Sequence, residues 1–374
     1  MTGTNGTATL PTNEEMACQK VPYTSGIANS DHHLLRDRMT APVQNFADQL
    51  AGLSLENGWT VVRRLERKPD TTGGVFSKAY IVADSKGREA FCKAIDLTAA
   101  QGSGEIFREM ERILRAYRYE RDLVQRCATS KMDRIVKVWD SGEVVVQPGN
   151  PYSLVPYLIF EMATGDVHAH LDFSAGIDVA FTMKTLHEVS IALVQLHQQS
   201  IAHQDVKPSN VVVFKGFGAK LGDLGRASAQ GLPIDHDDEH WAGDGKYTPP
   251  ELLYGRGGSD WGSRRLGCDA YMFGALGLFL LTGLCLSWEI QIRLPEDLRR
   301  DRYKGAFTDL LPYLRQATNE VILKVEPHVP CEIRDDFVRM LRELCDPDPS
   351  RRGHPTQRRQ RHGNPYEQIG RAHV

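Results

Sequence analysis

The sequence predicts an α+β fold of two lobes, an antiparallel β-rich lobe followed by a mainly helical one. Three observations carry that expectation. Short β-type runs between turn residues fill the stretch from Trp59 to Asp96, helical periodicity dominates after about Val179, and the 19 residues from Ala270 to Trp288 carry no charge. At roughly 100 to 200 residues per domain, a chain of 374 residues has room for two or three such units.

Residues 1–56 are rich in Thr, Asn, Ser and Gly and weakly periodic, which predicts a disordered arm ending in a short amphipathic piece near Phe46 to Leu55. Residues 57–162 read as the first lobe. Its strands are expected in WTVVRRL from Trp59, VFSKAYIVAD from Val75 and REAFCKAID from Arg88, with turns at Gly73-Gly74 and Gly87. A helix follows over 106–127, where Ile113, Tyr117 and Val124 form an apolar stripe at offsets of 0, 4 and 11, with Glu120 on that stripe at offset 7. Two further strands, RIVKVWDSG from Arg134 and SLVPYLIFEM from Ser153, flank a turn at Pro148-Gly149-Asn150-Pro151. Residues 163–355 read as the helical lobe, interrupted by a loop-rich stretch from Ile201 to Glu251. Residues 356–374 form a basic tail whose last six, IGRAHV, resemble an in-frame translation of a sequencing adapter; 369–374 are set aside as an artificial end, and the natural chain is expected to be longer.

Lys and Arg number 45 and Asp and Glu 48, a net charge of −3 with 41% hydrophobic residues. That balance demands neither nucleic acid nor an acidic membrane surface as partner. Seven scattered cysteines with no C-x-x-C pair argue against a disulfide framework or a structural zinc site and for a reducing, cytoplasmic compartment. The N-terminal residues lack a signal peptide's basic start and apolar run, so secretion is not expected and Asn5-Gly6-Thr7 is a formal glycosylation match only. The charge-free run is long enough to suggest a membrane span. Its three glycines, Thr282 and Ser287, and the lack of a close basic flank favour a helix buried inside a lobe.

The densest chemistry is His203-Gln204-Asp205-Val206-Lys207-Pro208-Ser209-Asn210, then VVVF, then Gly222-Asp223-Leu224-Gly225. Two carboxylates, an ammonium and a carboxamide within 19 residues are the parts needed to orient a hydroxyl, neutralise a phosphoryl group in transfer and hold magnesium. The pattern resembles the eukaryotic-type (Hanks-type) serine/threonine protein kinase family, whose loops read H-R-D-x-x-x-x-N and D-F-G. The resemblance runs from about Trp59 to Arg352 and implies the bilobal protein-kinase fold with ATP in the cleft. It implies that Asp205 positions the substrate hydroxyl and accepts its proton, that Lys207 offsets γ-phosphate charge, and that Asn210 and Asp223 bind Mg²⁺. Pro249-Pro250-Glu251 stands where the family has A-P-E, Cys268 to Gly274 matches the start of its buried central helix, and Arg352 fits the arginine that pairs with Glu251.

Upstream, Lys93 in AFCKAID resembles the family's β3 lysine, whose partner is a helical carboxylate. Glu111 and Glu120 lie nine positions apart, about 180° around a helix, so both cannot face the lysine. Glu120 is the expected partner, with Glu109 on the same face in reserve. Gly73 and Gly74 stand in the phosphate-covering loop, where only Gly74 clearly keeps the family's glycine. LIFEMA would supply the hinge, with Phe160 as gatekeeper and the backbone groups of Glu161 and Ala163 facing adenine.

Other features have plainer readings. His203 is expected to be packed rather than catalytic, and His236-Asp237-Asp238-Glu239-His240 to be an acidic, solvated loop rather than a metal cluster. Gly245-Lys246-Tyr247-Thr248 fails the Walker pattern at its first glycine. The chain departs from the family at Gln204, where the arginine that reads an activation-loop phosphate should stand, and at Leu224, Phe91 and Asp244. Phe91 would crowd the roof above adenine, and Asp244 replaces the threonine that ties the substrate loop to the catalytic base. The expected activity is transfer of the γ-phosphate of ATP to Ser or Thr of a protein substrate. The alternative is a nucleotide-binding pseudokinase scaffold, and a small-molecule phosphotransferase is disfavoured by Glu251, Asp269 and Arg352. Ser228, Tyr247 and Thr248 are modification candidates by position.

Overall fold

The structure is a computed structural model that describes residues 45–66, 77–102, 104–150, 153–173, 176–239, 241 and 243–353. Five strands form the first lobe's antiparallel sheet: β1 (Thr60–Arg64), β2 (Ser77–Ala83), β3 (Glu89–Ile95), β4 (Val138–Val145) and β5 (Leu154–Glu161), in the order β1-β2-β3-β5-β4. Side chains alternate between its faces with a period of two. Tyr80, Val82, Cys92, Tyr157 and Ile159 pack on one face, while Lys93 and Leu158, directly opposite each other, lie on the other. Helix α1 (Ile106–Thr129) covers that second face, presenting the buried stripe Ile113, Tyr117, Glu120 and Val124.

The first lobe begins earlier than residue 57. Phe46, Ala47, Leu50 and Leu55 are buried against the sheet's outer face, and the Tyr80 hydroxyl donates to the Ala47 carbonyl at 2.6 Å. A half-exposed apolar sheet face is costly, and this short irregular segment covers it. The strand expected from Arg134 starts instead at Val138. Residues 134–136 are drawn toward the second lobe, where Val136 N–H donates to the Leu221 carbonyl and Leu221 N–H to that of Arg134, both within 3.0 Å, while Lys137 stays with the first sheet by accepting from Glu161 N–H at 3.0 Å.

The second lobe opens with β6 (Gly165–Asp166) and continues through α2 (Val179–Gln198), β7 (Ile201–Ala202), β8 (Val211–Phe214), β9 (Gly218–Leu221) and β10 (Ser228–Ala229). The β6-β8-β9 sheet and the β7-β10 pair present the loops between them to the cleft. Helices α3 (Pro250–Leu253), α4 (Gly267–Thr282), α5 (Leu286–Arg293), α6 (Phe307–Val325) and α7 (Arg334–Leu344) complete it. Every residue of α4 from Gly267 to Leu281 is buried, which accounts for the charge-free run. Gly274 admits the close approach of the α7 end, since a Cβ there would stand 2.4 Å from Cys345 Sγ. The run breaks at Gly283, which caps α4 with φ 72°. Among the described residues no single helix is long and apolar enough to cross a membrane; Gly262–Thr282 and Leu286–Arg293 would pass only together, and they meet at 89°.

Candidate active site

The loop after β7 is fixed from below by one carboxylate. Asp269, fully buried on α4, accepts from the N–H of His203 at 2.8 Å and of Gln204 at 2.7 Å, and contacts His197 Nε2 at 2.9 Å. These bonds hold Gln204 at φ 62°, a left-handed conformation that a long side chain adopts only when its surroundings impose it. His203 is packed, as expected: its Nδ1 accepts from Asp205 N–H at 3.2 Å, and its Nε2 lies 2.9 Å from the Gly222 carbonyl. The two bonds together define the neutral, Nε2-protonated ring.

The next turn gathers three donors on Asp205. Lys207 Nζ lies 2.9 Å from Oδ2, Asn210 Nδ2 donates to Oδ2 at 3.0 Å and to the Asp205 carbonyl at 2.8 Å, and Asp244 N–H donates to Oδ1 at 2.8 Å. Burial pushes the Asp205 carboxyl above its usual range, with the Lys207 ammonium opposing. The tie between the substrate loop and Asp205 therefore comes from the backbone of Asp244, whose own carboxylate accepts from Lys246 N–H at 2.9 Å. Gly243 makes this approach feasible. A Cβ there would fall 2.3 Å from the Gln204 carbonyl and 2.7 Å from Asp205 Oδ1, a requirement with no signature in the sequence pattern.

Asp223 sits in a second left-handed position, φ 58°, just after β9. Gly222 N–H donates to the Asn210 carbonyl at 2.8 Å, locking the two loops together. Across the cleft, Lys93 Nζ lies 2.7 and 2.9 Å from the Glu120 oxygens and 2.8 Å from Asp223 Oδ1. Glu120, and not Glu109, meets the lysine; Glu109 pairs with Arg112 on its own helix at 2.6 Å. Burial works against the Lys93 ammonium, but Asp223 and Glu120 outweigh it and its pKa is raised. Lys93 in turn holds Asp223 well below the carboxylate range, whereas burial pushes Glu120 up against the pull of Lys93. The Asp223 side chain is 40% exposed, so its shift follows from direct contact with Lys93 and not from enclosure. A Cβ on Gly225 would stand 3.2 to 3.5 Å from all three charged groups, so the glycine keeps the cluster open.

The donor chemistry at the mouth suits a hard divalent cation. Asn210 spends its amide nitrogen on Asp205, which leaves its carbonyl oxygen, and Asp223 adds a partly exposed carboxylate. Oxygen donors that few hold Mg²⁺ only jointly with phosphate oxygens. Among the described residues no group of three or more His, Cys, Asp or Glu could hold a metal by itself.

At the hinge, Glu161 N–H is engaged by Lys137, so of its two backbone groups only the carbonyl could serve a base. Its side chain is a strut: Oε1 accepts from Lys137 N–H at 2.8 Å and from the buried Lys220 at 2.6 Å. Ala163 is half-buried in the following coil. Phe91 and Phe160 face each other across β3 and β5 with ring centroids 6.4 Å apart. Gly73 and Gly74 lie outside the described residues.

The sequence that folds into this cleft, with its Lys93–Glu120 pair and the Asp205 and Asp223 loops, is matched by the family model of the protein kinase domain across residues 72–362. The chain belongs to the protein kinase family. It is similar to the calmodulin-binding receptor-like cytoplasmic kinase 1 of Arabidopsis thaliana, 27% identical over 50% of this chain and 39% of that protein. It is also similar to the serine/threonine-protein kinase SBK1 of Danio rerio, 26% identical over 47% of each chain. The L-type lectin-domain containing receptor kinase V.7 of Arabidopsis thaliana is 36% identical over 27% of this chain and 15% of that protein. The chain thus spans less than half the length of each of these curated relatives.

Proposed function

We propose that the chain is an ATP-dependent protein kinase that transfers the γ-phosphate of Mg-ATP to Ser and Thr hydroxyls of a protein substrate. The observation that carries this reading is the convergence of Lys207, Asn210 and the Asp244 N–H on one buried carboxylate, Asp205, opposite the Lys93–Glu120 pair. Asp205 receives the hydroxyl proton as the oxygen bonds to the γ-phosphorus and the bond from γ-phosphorus to the bridging oxygen breaks. Its raised pKa suits that task. Lys207, beside the transferring group, offsets charge on its oxygens, and Lys93, steadied by Glu120, binds the α- and β-phosphates. Asp223 and Asn210 would hold Mg²⁺, which would supply positive charge to offset that of the phosphates. The Glu161 carbonyl, Ala163 and the backbone at Gly73 and Gly74 would serve the nucleotide, with Phe160 behind the base. Lys207 and the name of the Danio rerio relative support the Ser/Thr assignment.

A cytoplasmic site of action is part of the same proposal, in keeping with the free thiols of Cys92, Cys127, Cys268, Cys285, Cys331 and Cys345. The pairing of Phe91 with Phe160 favours one second reading, a pseudokinase scaffold whose adenine pocket is too crowded for turnover. Labelling with γ-phosphate-labelled Mg-ATP followed by phosphoamino-acid analysis separates the two. Label on Ser or Thr is the expected result; label on Tyr would overturn the substrate class, and nucleotide binding without label would favour the scaffold.

A further inference from the structure

The turn Asp235–Asp237 is only partly solvated: Asp235 is exposed, as expected of an acidic loop, whereas His236 is buried and Asp237 half-buried. Four arginines from three other segments converge on it and its neighbours. From α1, Arg115 Nη1 lies 3.0 Å from Asp235 Oδ1. From the turn before α4, Arg265 donates to the Asp237 carbonyl at 2.7 Å, and the same nitrogen stands 3.0 Å from Asp237 Oδ1, off the hydrogen-bond line and so attracted by charge. Arg264 donates to the carbonyls of Asp237 and Glu239 at 3.2 and 2.7 Å, and Arg226 lies 3.6 Å from the Glu239 carboxylate. His236 is buried between, its Nε2 2.9 Å from the Ala227 carbonyl and its ring edge-on to Tyr119 of α1.

Arg265 is the joint between this turn and the chemistry. Its other terminal nitrogen donates to Gln204 Oε1, and Gln204 Nε2 donates to the Arg226 carbonyl at 3.1 Å. Gln204 immediately precedes Asp205. Arg115 lies on the helix that carries Glu120, so the two ends of the clasp reach both halves of the site. The Arg265 side chain is only 4% exposed, and an uncompensated guanidinium there would be costly.

Accessible hydroxyls are missing from the same stretch. Residues 226–248 contain three hydroxyl side chains, Ser228, Tyr247 and Thr248, with exposures of 0, 6 and 0%. Ser228 accepts from Trp261 Nε1 at 3.3 Å, and the Thr248 hydroxyl donates to the Asp244 carbonyl at 2.9 Å. These residues, candidates for modification by position alone, are therefore sealed in the fold.

We propose that Asp235 and Asp237 are positioning residues that clasp Arg115 and Arg265 and hold the Glu120 helix in register with the Gln204–Asp205 loop, so that turnover requires no phosphorylation of residues 226–248. The proposal rests on the kinase reading for its catalytic readout, while its structural readout stands apart from it.

The full chain is treated with phosphatase, verified as unmodified over 226–248 by mass spectrometry, and assayed beside Asp237→Asn, Asp235→Arg and the pair Asp235→Arg with Arg115→Asp. Amide exchange over 226–239 is followed in each. The unmodified wild type is expected to keep its turnover. Asp237→Asn is expected to lower kcat about ten-fold or more with little change in KM for ATP, a loss of order 1.4 kcal/mol. Asp235→Arg, at an exposed position, is expected to do the same more mildly, and the charge-swapped pair to recover it. Faster exchange over 226–239 should accompany each loss. Turnover that vanishes on dephosphorylation, or unchanged kcat and exchange in Asp237→Asn and Asp235→Arg, would overturn the clasp. If no form of the wild type transfers phosphate, the kinase reading fails by itself, and the exchange data alone judge the clasp: faster exchange in the variants upholds it, unchanged exchange overturns it.

Discussion

Arg352 grips Glu251 through two parallel hydrogen bonds of 2.7 and 2.9 Å, 101 residues apart in sequence, with the side chains 0% and 2% exposed. The same guanidinium donates to the carbonyls of Gly267 and Asp346 at 3.0 Å, so it joins α3, the start of α4 and the C-terminal end of the lobe. Removing one partner strands a buried charge, which costs about 3–5 kcal/mol. Arg352→Ala is expected to lose about that much stability by urea denaturation. A loss under about 1 kcal/mol would mean the pair is not buried as described.

Gly243→Ala tests the tightness of the base loop. The added methyl would collide with the Gln204 carbonyl and Asp205 Oδ1, so the substrate loop must retreat and release the Asp244 N–H from Asp205. Turnover should fall about a hundred-fold, as expected for a misplacement of about 1 Å, with nucleotide affinity nearly unchanged. Wild-type turnover in steady-state assays would contradict the geometry.

The pH profile follows from Asp205. As the proposed base it must be ionised to accept a proton, and burial raises its pKa despite Lys207, so activity is expected to be lost as pH falls through that raised value. The acid limb of kcat/KM should therefore lie above the ordinary aspartate value of about 3.9. An acid limb at or below that value would show a base that is not desolvated.

Phe91→Ala removes a ring opposite Phe160 on the cleft side of the sheet. If crowding limits nucleotide binding, KM for ATP should fall a few-fold, a change of about 1 kcal/mol, with kcat little altered. Weaker binding, measured by calorimetry, would mean that Phe91 stacks on the base instead of obstructing it.

Much of the site was legible because its spacing is local. Asp205, Lys207 and Asn210 lie within one turn, and Asp223 follows a four-residue β-hairpin strand, so sequence order nearly dictates their neighbourhood. Glu120 was legible because a charge at the core offset of an apolar helix stripe requires a partner. The rest depends on contacts that no periodicity encodes. The Phe46–Leu55 segment has only a three-residue 3-10 turn and no repeating pattern, yet it covers a sheet face. Gly243 meets Gln204 and Asp205 about forty residues away through a single close approach. Asp237 carries the same charge as its exposed neighbour Asp238, and only the fold brings Arg265 to one of them.

In the proposed mechanism phosphate transfer runs through Asp205, within a site that binds Mg-ATP independently of it. Single-turnover transfer from labelled Mg-ATP, measured with wild type and Asp205→Asn beside a thermal shift on nucleotide addition, tests this most directly. Transfer is expected in the wild type, with a loss of at least about a thousand-fold in Asp205→Asn and the same nucleotide-induced shift in both. Equal transfer by the two proteins would contradict it.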